Sequence, residues 1–308
     1  MSIDDEFKGN IVAFFHIPKT AGTTLRERYK NSNNFYLVDG EIRKNKLWYP
    51  PVTENSCFIG HDIIIGNIEK VYPNANVIYV TALRDPVERI MSSYNFIKTQ
   101  AKYMNSNFTG DLDFLLWYAN RDVMRPMPHL HQYQYVFKQH VSMVQFYKTG
   151  AIMDDEVAMK SLYMNTDALE ATIGESSTGH HQTITSINTK KQLNIRLEAN
   201  KVEKQNSEFS FGLVKKHFSD VFFTHSSRDS SQIFCEKFDN ILKRHEIDVT
   251  PDETIIRTND TKLTIENQGI PWTFFHELHP EYKRSVKYDQ QWEQQWFNKI
   301  KEHFEGSS

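Results

Sequence analysis

Short, uninterrupted runs of apolar residues mark the strands of a buried parallel sheet. The first run is Ile-Val-Ala-Phe-Phe at 11–15, and NVIYVTAL at 76–83 is a β-branched run of the same kind. Such runs are typical of strands that are covered on both faces. Shorter runs at 35–38, 57–60 and 220–224 are further strand candidates.

Helical patterns follow several of these runs. TTLRERYK comes directly after Gly22 and is rich in helix formers, and PVERIMSSYNFIK at 86–98 gathers its apolar residues on one face. Further along, 227–245 has the pattern of a capped amphipathic helix, and 292–304 that of a last helix. This alternation predicts an α/β fold with a mainly parallel central sheet flanked by helices.

The middle of the chain has a different pattern. Residues 111–170 are mostly helical in their periodicity, whereas 174–208 is polar and poor in large apolar side chains, which indicates a surface insertion or a lid. One α/β domain enlarged by such a segment accommodates the 308 residues. We therefore expect a single domain over 1–308, with two separate domains as the alternative.

The composition favours a folded protein that binds neither nucleic acid nor membrane. Hydrophobic residues make up 39% of the chain, which is enough for a sizeable core. A formal net charge of −3 gives no field that would attract a polyanion or an anionic lipid surface, so any bound anion must be held locally. The acidic start MSIDDEFKGN does not resemble a signal peptide, and we expect a cytoplasmic protein. Cys57 and Cys235 lack any metal-ligand spacing.

The loop after the first strand has the residues of an anion site. A loop between a buried strand and a helix N-terminus presents free backbone N–H groups and the positive end of the helix dipole. Gly22 lets the backbone approach a phosphate closely, Lys19 adds a full charge, and Thr20, Thr23 and Thr24 add hydroxyl donors. This arrangement predicts a phosphate-binding loop similar to, but distinct from, that of the nucleoside triphosphatases. Their loop needs a glycine four residues before Gly-Lys-Ser/Thr, and nothing glycine-rich precedes Lys19.

Two motifs in the same order carry a resemblance to a known family. HIPKTAGTT at 16–24 and ALRDPVERIMSSY at 82–94 resemble the sulfotransferases that use 3′-phosphoadenylyl sulfate (PAPS), in particular the heparan sulfate 2-O- and 6-O-sulfotransferase group. The resemblance is good over 11–100 and loose over 220–305. It implies the sulfotransferase fold, PAPS as donor, adenosine 3′,5′-bisphosphate as product, and no metal.

The resemblance also assigns residues. It implies that the first motif binds the 5′-phosphosulfate through Lys19, Thr20, Ala21, Gly22, Thr23 and Thr24, and that the second binds the 3′-phosphate through Arg84 and Ser92. Arg84 follows a strand of the predicted sheet, at the edge where ligands of open α/β sheets collect. We interpret Asp85 and Arg89 as structural residues that shape the turn and pair locally.

An acceptor hydroxyl needs a base, and histidine is the usual choice near neutral pH. The chain has 13 histidines, of which His61 lies at the predicted end of a strand, on the same rim as the loop and Arg84. The resembling family has a Gly-His or His-Gly-His segment there, and Gly60-His61 is a partial match to it. His61 is therefore the predicted base, with a structural histidine as the alternative, and Lys19 is the second predicted catalytic residue. His16 is interpreted as a brace that holds the loop through a hydrogen bond, with a catalytic role as the alternative.

The acceptor is the least determined part. Ser227 and Arg228 stand where the family usually has Glu-Arg, and Asn259, Thr261 and Lys262 are weak candidates for nucleotide contacts, with a polar surface turn as the alternative. His129 and His131 are candidates for the acceptor side, although isolated histidines on helical segments are usually packed or exposed. Aromatic residues without clustered cations favour a small hydroxylated molecule over a polysaccharide, although such residues are often core: Trp117, Tyr118, Tyr133, Tyr135, Phe137 and Tyr147.

These observations predict a sulfotransferase that acts on a small-molecule hydroxyl, with oligomeric state open. Three alternatives stand beside it: a carbohydrate O-sulfotransferase, a protein that binds PAPS or its product without catalysis, and a nucleotide kinase with an unusual phosphate loop.

Overall fold

The computed structural model describes residues 7–38, 42–43, 46–47, 49–61, 63, 65–100, 114, 132–133, 135–136, 204–225, 227–256 and 272–306. Its strands are β1 (Asn10–Phe15), β2 (Phe35–Leu37), β3 (Ile42–Arg43), β4 (Lys46–Leu47), β5 (Ser56–Gly60), β6 (Asn76–Arg84) and β7 (Phe218–Thr224). The helices are α1 (Gly22–Tyr29), α2 (Ile68–Val71), α3 (Pro86–Gln100), α4 (204–217), α5 (Arg228–Arg244), a 3₁₀ turn (Phe275–Glu277), α6 (Pro280–Asp289) and α7 (Gln291–Glu305).

The central sheet has five strands in the order β2-β5-β1-β6-β7, and every neighbouring pair is parallel. β3 and β4 form a separate two-stranded antiparallel ladder. The predicted α/β class with a mainly parallel sheet and flanking helices is therefore confirmed. The apolar run of β1 is explained by its central place, because both of its edges are paired and both of its faces are covered.

Alternate side chains of β1 enter two separate hydrophobic clusters. Ile11, Ala13 and Phe15 belong to a cluster with side chains from α2, α4 and α7. Val12 and Phe14 belong to a cluster with side chains from α1 and α5. The period of two along a strand thus places one layer of helices on each face of the sheet.

An ion pair ties α1 to α5 on the second face. Arg28 contacts Asp239 at 2.6 Å between Nη2 and Oδ2, and its Nη1 also donates to the carbonyl oxygens of Asp252 and Ile255. The hydroxyl of Tyr29 donates to the same carboxylate. These contacts fix the carboxyl end of α1, so its amino end is held at a defined place above the sheet.

The strand order reverses at β1, which lies between β5 and β6. The carboxyl ends of these three strands, at Phe15, Gly60 and Arg84, lie at the same edge of the sheet. In open α/β sheets the crevice at such a reversal is the usual ligand site. The first predicted motif and the predicted base follow directly from the ends of β1 and β5, and the second predicted motif spans the end of β6.

The structure also bears on the middle of the chain. Residues 204–208 belong to the polar segment that was predicted as a surface insertion or lid. They begin helix α4, and Asn206 and Ser207 are buried. Of the six aromatic residues proposed for an acceptor surface, Tyr133 and Tyr135 are core residues, and the others lie outside the described part of the chain. None of the described helices is both long and apolar enough to cross a bilayer.

Candidate functional site

The loop between β1 and α1 has an unusual backbone. Lys19 and Ala21 have positive φ angles of 68° and 76°, and Glu246 is the one other non-glycine residue of the described chain with a positive φ. Each such residue costs about 1 kcal/mol relative to ordinary backbone conformations. Where residues with positive and negative φ angles alternate, successive N–H groups turn toward a common point. Concave backbone segments of this kind bind anions.

Short contacts hold this loop in place. The backbone N–H of His16 donates to the carbonyl oxygen of Gly60 at 3.0 Å, and the hydroxyl of Thr20 donates to the carbonyl oxygen of Ile17 at 2.7 Å. Thr20 is fully buried, so in this arrangement its proton shapes the turn rather than facing a ligand. Thr24 is buried as well and Thr23 is half-buried.

Helix α1 begins without a side-chain cap. Ala21 is its N-cap residue and provides no side-chain hydrogen bond, while the N–H of Thr24 donates to the Ala21 carbonyl oxygen at 2.9 Å. The first N–H groups of a helix have no partner within the helix, and the helix dipole is positive there. The amino end of α1 therefore offers donors and a favourable potential to an anion.

Gly22 is required by its contact with His16. A Cβ atom at Gly22 would lie 2.1 Å from Cδ2 of the His16 ring. A side chain at this position would displace either the ring or the loop. The glycine of the motif thus allows the buried histidine to pack under the start of α1, a role that its spacing did not reveal.

The rings of His16 and His61 are stacked, with centroids 4.1 Å apart and planes 23° from parallel. Nδ1 of His61 lies 2.7 Å from the carbonyl oxygen of His16. A carbonyl oxygen only accepts, so Nδ1 carries the proton, and Nε2 is the basic nitrogen of the neutral ring. His61 is half-buried at the end of β5.

His16 is held in its neutral form. It is 4% exposed. Burial is the main cause that lowers its pKa well below the usual 6.5, and the neighbouring charges of His61, Arg26 and Lys19 act in the same direction. Its Nδ1 has no hydrogen-bond partner among the described residues. The ring packs against Gly22 and His61, and this packing is what braces the loop.

Lys19 brings a cationic side chain to the loop. Its Nζ lies 4.0 Å from the centroid of the Phe96 ring on α3. Burial, followed by the nearby charge of Arg84, lowers the pKa of Lys19 to about 7. An anion placed between the two cations would relieve their repulsion and restore the charge of the lysine.

Arg84 ends β6 beside the loop. Its Nη1 donates to the carbonyl oxygen of Lys19 at 3.4 Å, and its Nε lies 3.3 Å from the carboxylate of Glu88 one turn into α3. Glu88 also approaches Nδ1 of His225, at the end of β7, at 3.6 Å. Arg84 thus lies at the predicted strand end and contacts both the loop and α3.

The backbone of Arg84 is held by a buried polar chain that the sequence did not suggest. Its N–H donates to Oε1 of Gln132 at 2.9 Å, and Nε2 of Gln132 donates to its carbonyl oxygen at 2.7 Å. Oε1 of Glu293 accepts from both nitrogens of Gln132 and lies 3.6 Å from Nη2 of Arg89. Glu293 lies on the apolar face of α7 with Trp296 and Ile300. A charged residue at an apolar position was the one feature of the sequence that could have indicated this network.

The remaining residues of the second motif lie on or before α3. Asp85 Oδ1 accepts from the N–H groups of Val87 and Glu88 at 3.0 and 3.1 Å, so Asp85 caps the helix. Ser92 is nearly buried, one turn before Phe96, and residues four apart share a helix face. The face of α3 that carries Ser92 is therefore the one toward Lys19. Arg89, which was expected to pair locally, instead reaches Glu293 on α7.

Several predicted residues lie outside the described part of the chain: Asn259, Thr261, Lys262, His129 and His131. Ser227 caps α5 by accepting from the N–H of Ser230 at 3.1 Å. Within the described ranges, no group of three or more histidine, cysteine, aspartate or glutamate residues could hold a metal ion. Comparison with known proteins finds no matching family model, no matching curated protein and no matching solved structure.

Proposed function

We propose that the protein is a sulfotransferase, which transfers the sulfuryl group of PAPS to the hydroxyl of an acceptor, with a small-molecule metabolite as the acceptor class. The observation that carries the proposal is the hydrogen bond from Nδ1 of His61 to the His16 carbonyl oxygen. It leaves Nε2 as the basic nitrogen of His61, the predicted base, and it holds His61 against the loop that contains Lys19. A base and an anion-binding loop are thereby joined in one unit.

The donor fits the loop by charge and by backbone geometry. Lys19, the N-terminus of α1 and the positive-φ backbone supply cationic and N–H groups for a phosphosulfate. Arg84 supplies a planar guanidinium, suited to bidentate binding of the 3′-phosphate, at the neighbouring strand end. Ser92, which the resemblance assigns to the same phosphate, lies on α3, the helix that follows Arg84.

The chain's own residues supply what in-line transfer requires. Nε2 of His61 accepts the proton of the acceptor hydroxyl while the new O–S bond forms. Lys19 stabilises the negative charge that grows on the bridging oxygen as the old S–O bond breaks, and adenosine 3′,5′-bisphosphate leaves. No redox step is involved.

A binding assay tests the donor half of the proposal. Thermal shift and isothermal titration calorimetry are run with adenosine 3′,5′-bisphosphate, adenosine 5′-phosphate, and ATP with and without magnesium. Stabilisation by the bisphosphate without magnesium is expected, because a ligand of the native state raises the melting temperature. If ATP with magnesium is the only ligand that stabilises the protein, the result would favour a nucleotide kinase and overturn the proposal.

A transfer assay tests the catalytic half. Labelled PAPS is incubated with panels of phenols, alkyl alcohols, polar alkaloid-like metabolites and oligosaccharides, with Lys19→Met as the matched inactive control, and products are read by mass spectrometry. Sulfated small molecules are expected. Turnover of oligosaccharides alone would make the protein a carbohydrate O-sulfotransferase, and binding without any turnover would leave a nucleotide-binding protein.

A further inference from the structure

The end of β6 extends beyond its neighbour β1. The β1–β6 pairing ends at Phe15 and Thr81, whereas β6 pairs with β7 up to Arg84 and Thr224. Arg84 thus lies at a strand end where the ladder with β1 has already stopped. A buried N–H and C=O there need another partner.

Gln132 provides that partner. Its side-chain amide accepts from the Arg84 N–H at 2.9 Å and donates to the Arg84 carbonyl oxygen at 2.7 Å, as a neighbouring strand would. Gln132 is fully buried. The orientation of the amide is determined, because its Nε2 also donates to the carboxylate of Glu293 at 2.9 Å. A flipped amide would place its NH₂ group against the Arg84 N–H.

Glu293 in turn is held by contacts with two residues. Its carboxylate is fully buried, accepts from the backbone N–H of Gln132 at 2.8 Å, and faces the guanidinium of Arg89, which is 1% exposed. A buried carboxylate without these partners would be strongly destabilising, so the network resists any shift of its members. It extends from α7, through Gln132, to the backbone of the arginine at the rim.

We propose that Gln132, held by Glu293, is a positioning residue that fixes Arg84 for the 3′-phosphate of the donor. The proposal depends on the function proposed above. It adds that the affinity for the 3′-phosphate is set partly by a glutamine that does not touch the ligand. A guanidinium whose backbone is fixed loses less freedom on binding an anion than one on a mobile strand end.

The test compares Gln132→Met with wild type. Methionine keeps the length of the side chain and removes both hydrogen bonds to Arg84. We expect the affinity for adenosine 3′,5′-bisphosphate to fall roughly ten-fold or more, with little change for adenosine 5′-phosphate. The KM for PAPS should rise while kcat stays near wild type. The control is Ser56→Ala, which removes a partly buried hydrogen bond at the amino end of β5 and should change neither ligand's affinity.

Hydrogen exchange separates this proposal from the proposed function. The Arg84 amide should be protected in wild type, and its protection should fall in Gln132→Met but not in Ser56→Ala. If wild type does not bind the bisphosphate, the proposed function fails, while exchange still reports whether Gln132 holds Arg84. If Gln132→Met does not fold, Gln132→Asn, whose shorter amide does not reach Arg84, takes its place. An unprotected Arg84 amide in wild type, or equal affinity losses for both nucleotides, overturns the inference.

Discussion

The ring of His61 lies against the ring of His16, and its Nδ1 donates to the His16 backbone carbonyl at 2.7 Å. The contact joins the end of β5 to the start of the loop between β1 and α1. It also distinguishes the two histidines, because burial lowers the pKa of His16, while His61 is half-buried and its Nδ1 carries the proton of this contact. The predicted roles of base and brace depend on this one contact.

His61→Asn is the sharpest test of the base. The Asn Nδ2 can donate to the His16 carbonyl as Nδ1 of His61 does, but it supplies no base. We expect kcat for sulfuryl transfer to fall by a factor on the order of 10² to 10⁴, with the affinity for adenosine 3′,5′-bisphosphate close to wild type. Steady-state kinetics and calorimetry measure the two quantities. An active His61→Asn enzyme together with an inactive His16→Ala enzyme would reverse the assignment.

Gly22→Ala tests the packing of His16 under α1. The new Cβ would lie 2.1 Å from the His16 ring, so the loop or the ring must move. We expect a loss of about 1–3 kcal/mol in the free energy of unfolding, as for overpacked cores. In a His16→Ala background the same substitution should cost much less, because its steric partner is gone. Denaturant unfolding of the four variants gives the coupling, and equal costs in both backgrounds would contradict it.

The sheet could be predicted from the sequence because its strands carry a purely local signal. The run at 11–15 corresponds to β1 (Asn10–Phe15) and the run at 76–83 to β6 (Asn76–Arg84). Strands buried on both faces must be apolar at every position, so each run reports its own strand. The reversal at β1 then brings Lys19, His61 and Arg84 to one edge, as the motif order predicts.

The site's supporting contacts could not be predicted, because they join residues far apart in the chain and have no period. Gln132 and Glu293 meet at Arg84 only after α7 packs on the sheet. Thr20 was selected because its hydroxyl could bind a ligand, but that hydroxyl donates to the nearby Ile17 carbonyl oxygen. Threonine side chains often form such local bonds to the backbone. Tyr133 was proposed for an acceptor surface, but it packs against Trp296 in the core.

The pKa of Lys19 predicts how nucleotide affinity depends on pH. This pKa is about 7 in the free protein, and a bound phosphate would raise it, so binding takes up a proton above pH 7. Affinity for adenosine 3′,5′-bisphosphate should therefore change little from pH 6.5 to 7 and fall by up to about ten-fold per pH unit above that. Calorimetry in buffers of different ionisation enthalpy measures the uptake. Absence of uptake at pH 8 in wild type, or equal uptake in Lys19→Met, would contradict it.

The same lysine should destabilise the fold. Its pKa is about 7 when folded and 10.5 ordinarily, so between these values the unfolded chain binds more protons and stability rises with pH. The penalty is complete below pH 7. Lys19→Met should therefore raise the free energy of unfolding at pH 6. The expected gain is about 1–2 kcal/mol, because solvent screens the charge of this half-buried group. The gain should shrink toward pH 10, and urea unfolding across this range measures it. A gain that grows with pH would contradict the assignment.

Arg84 and Glu88 should act in opposite directions on the 3′-phosphate. The carboxylate of Glu88 lies 3.3 Å from Nε of Arg84 and partly neutralises it, so a phosphate must compete with Glu88 for the guanidinium. Arg84→Ala should lower the affinity for adenosine 3′,5′-bisphosphate by on the order of ten- to a hundred-fold, and the affinity for adenosine 5′-phosphate far less.

Glu88→Gln should raise the affinity for the bisphosphate. The gain should be a few-fold, since an exposed carboxylate is well screened. Calorimetry with both nucleotides, repeated at high salt, measures the two effects. Equal losses for both nucleotides in Arg84→Ala would mean that Arg84 holds the fold rather than the ligand, and a weaker bisphosphate complex in Glu88→Gln would mean that Glu88 orients the guanidinium rather than competing for it.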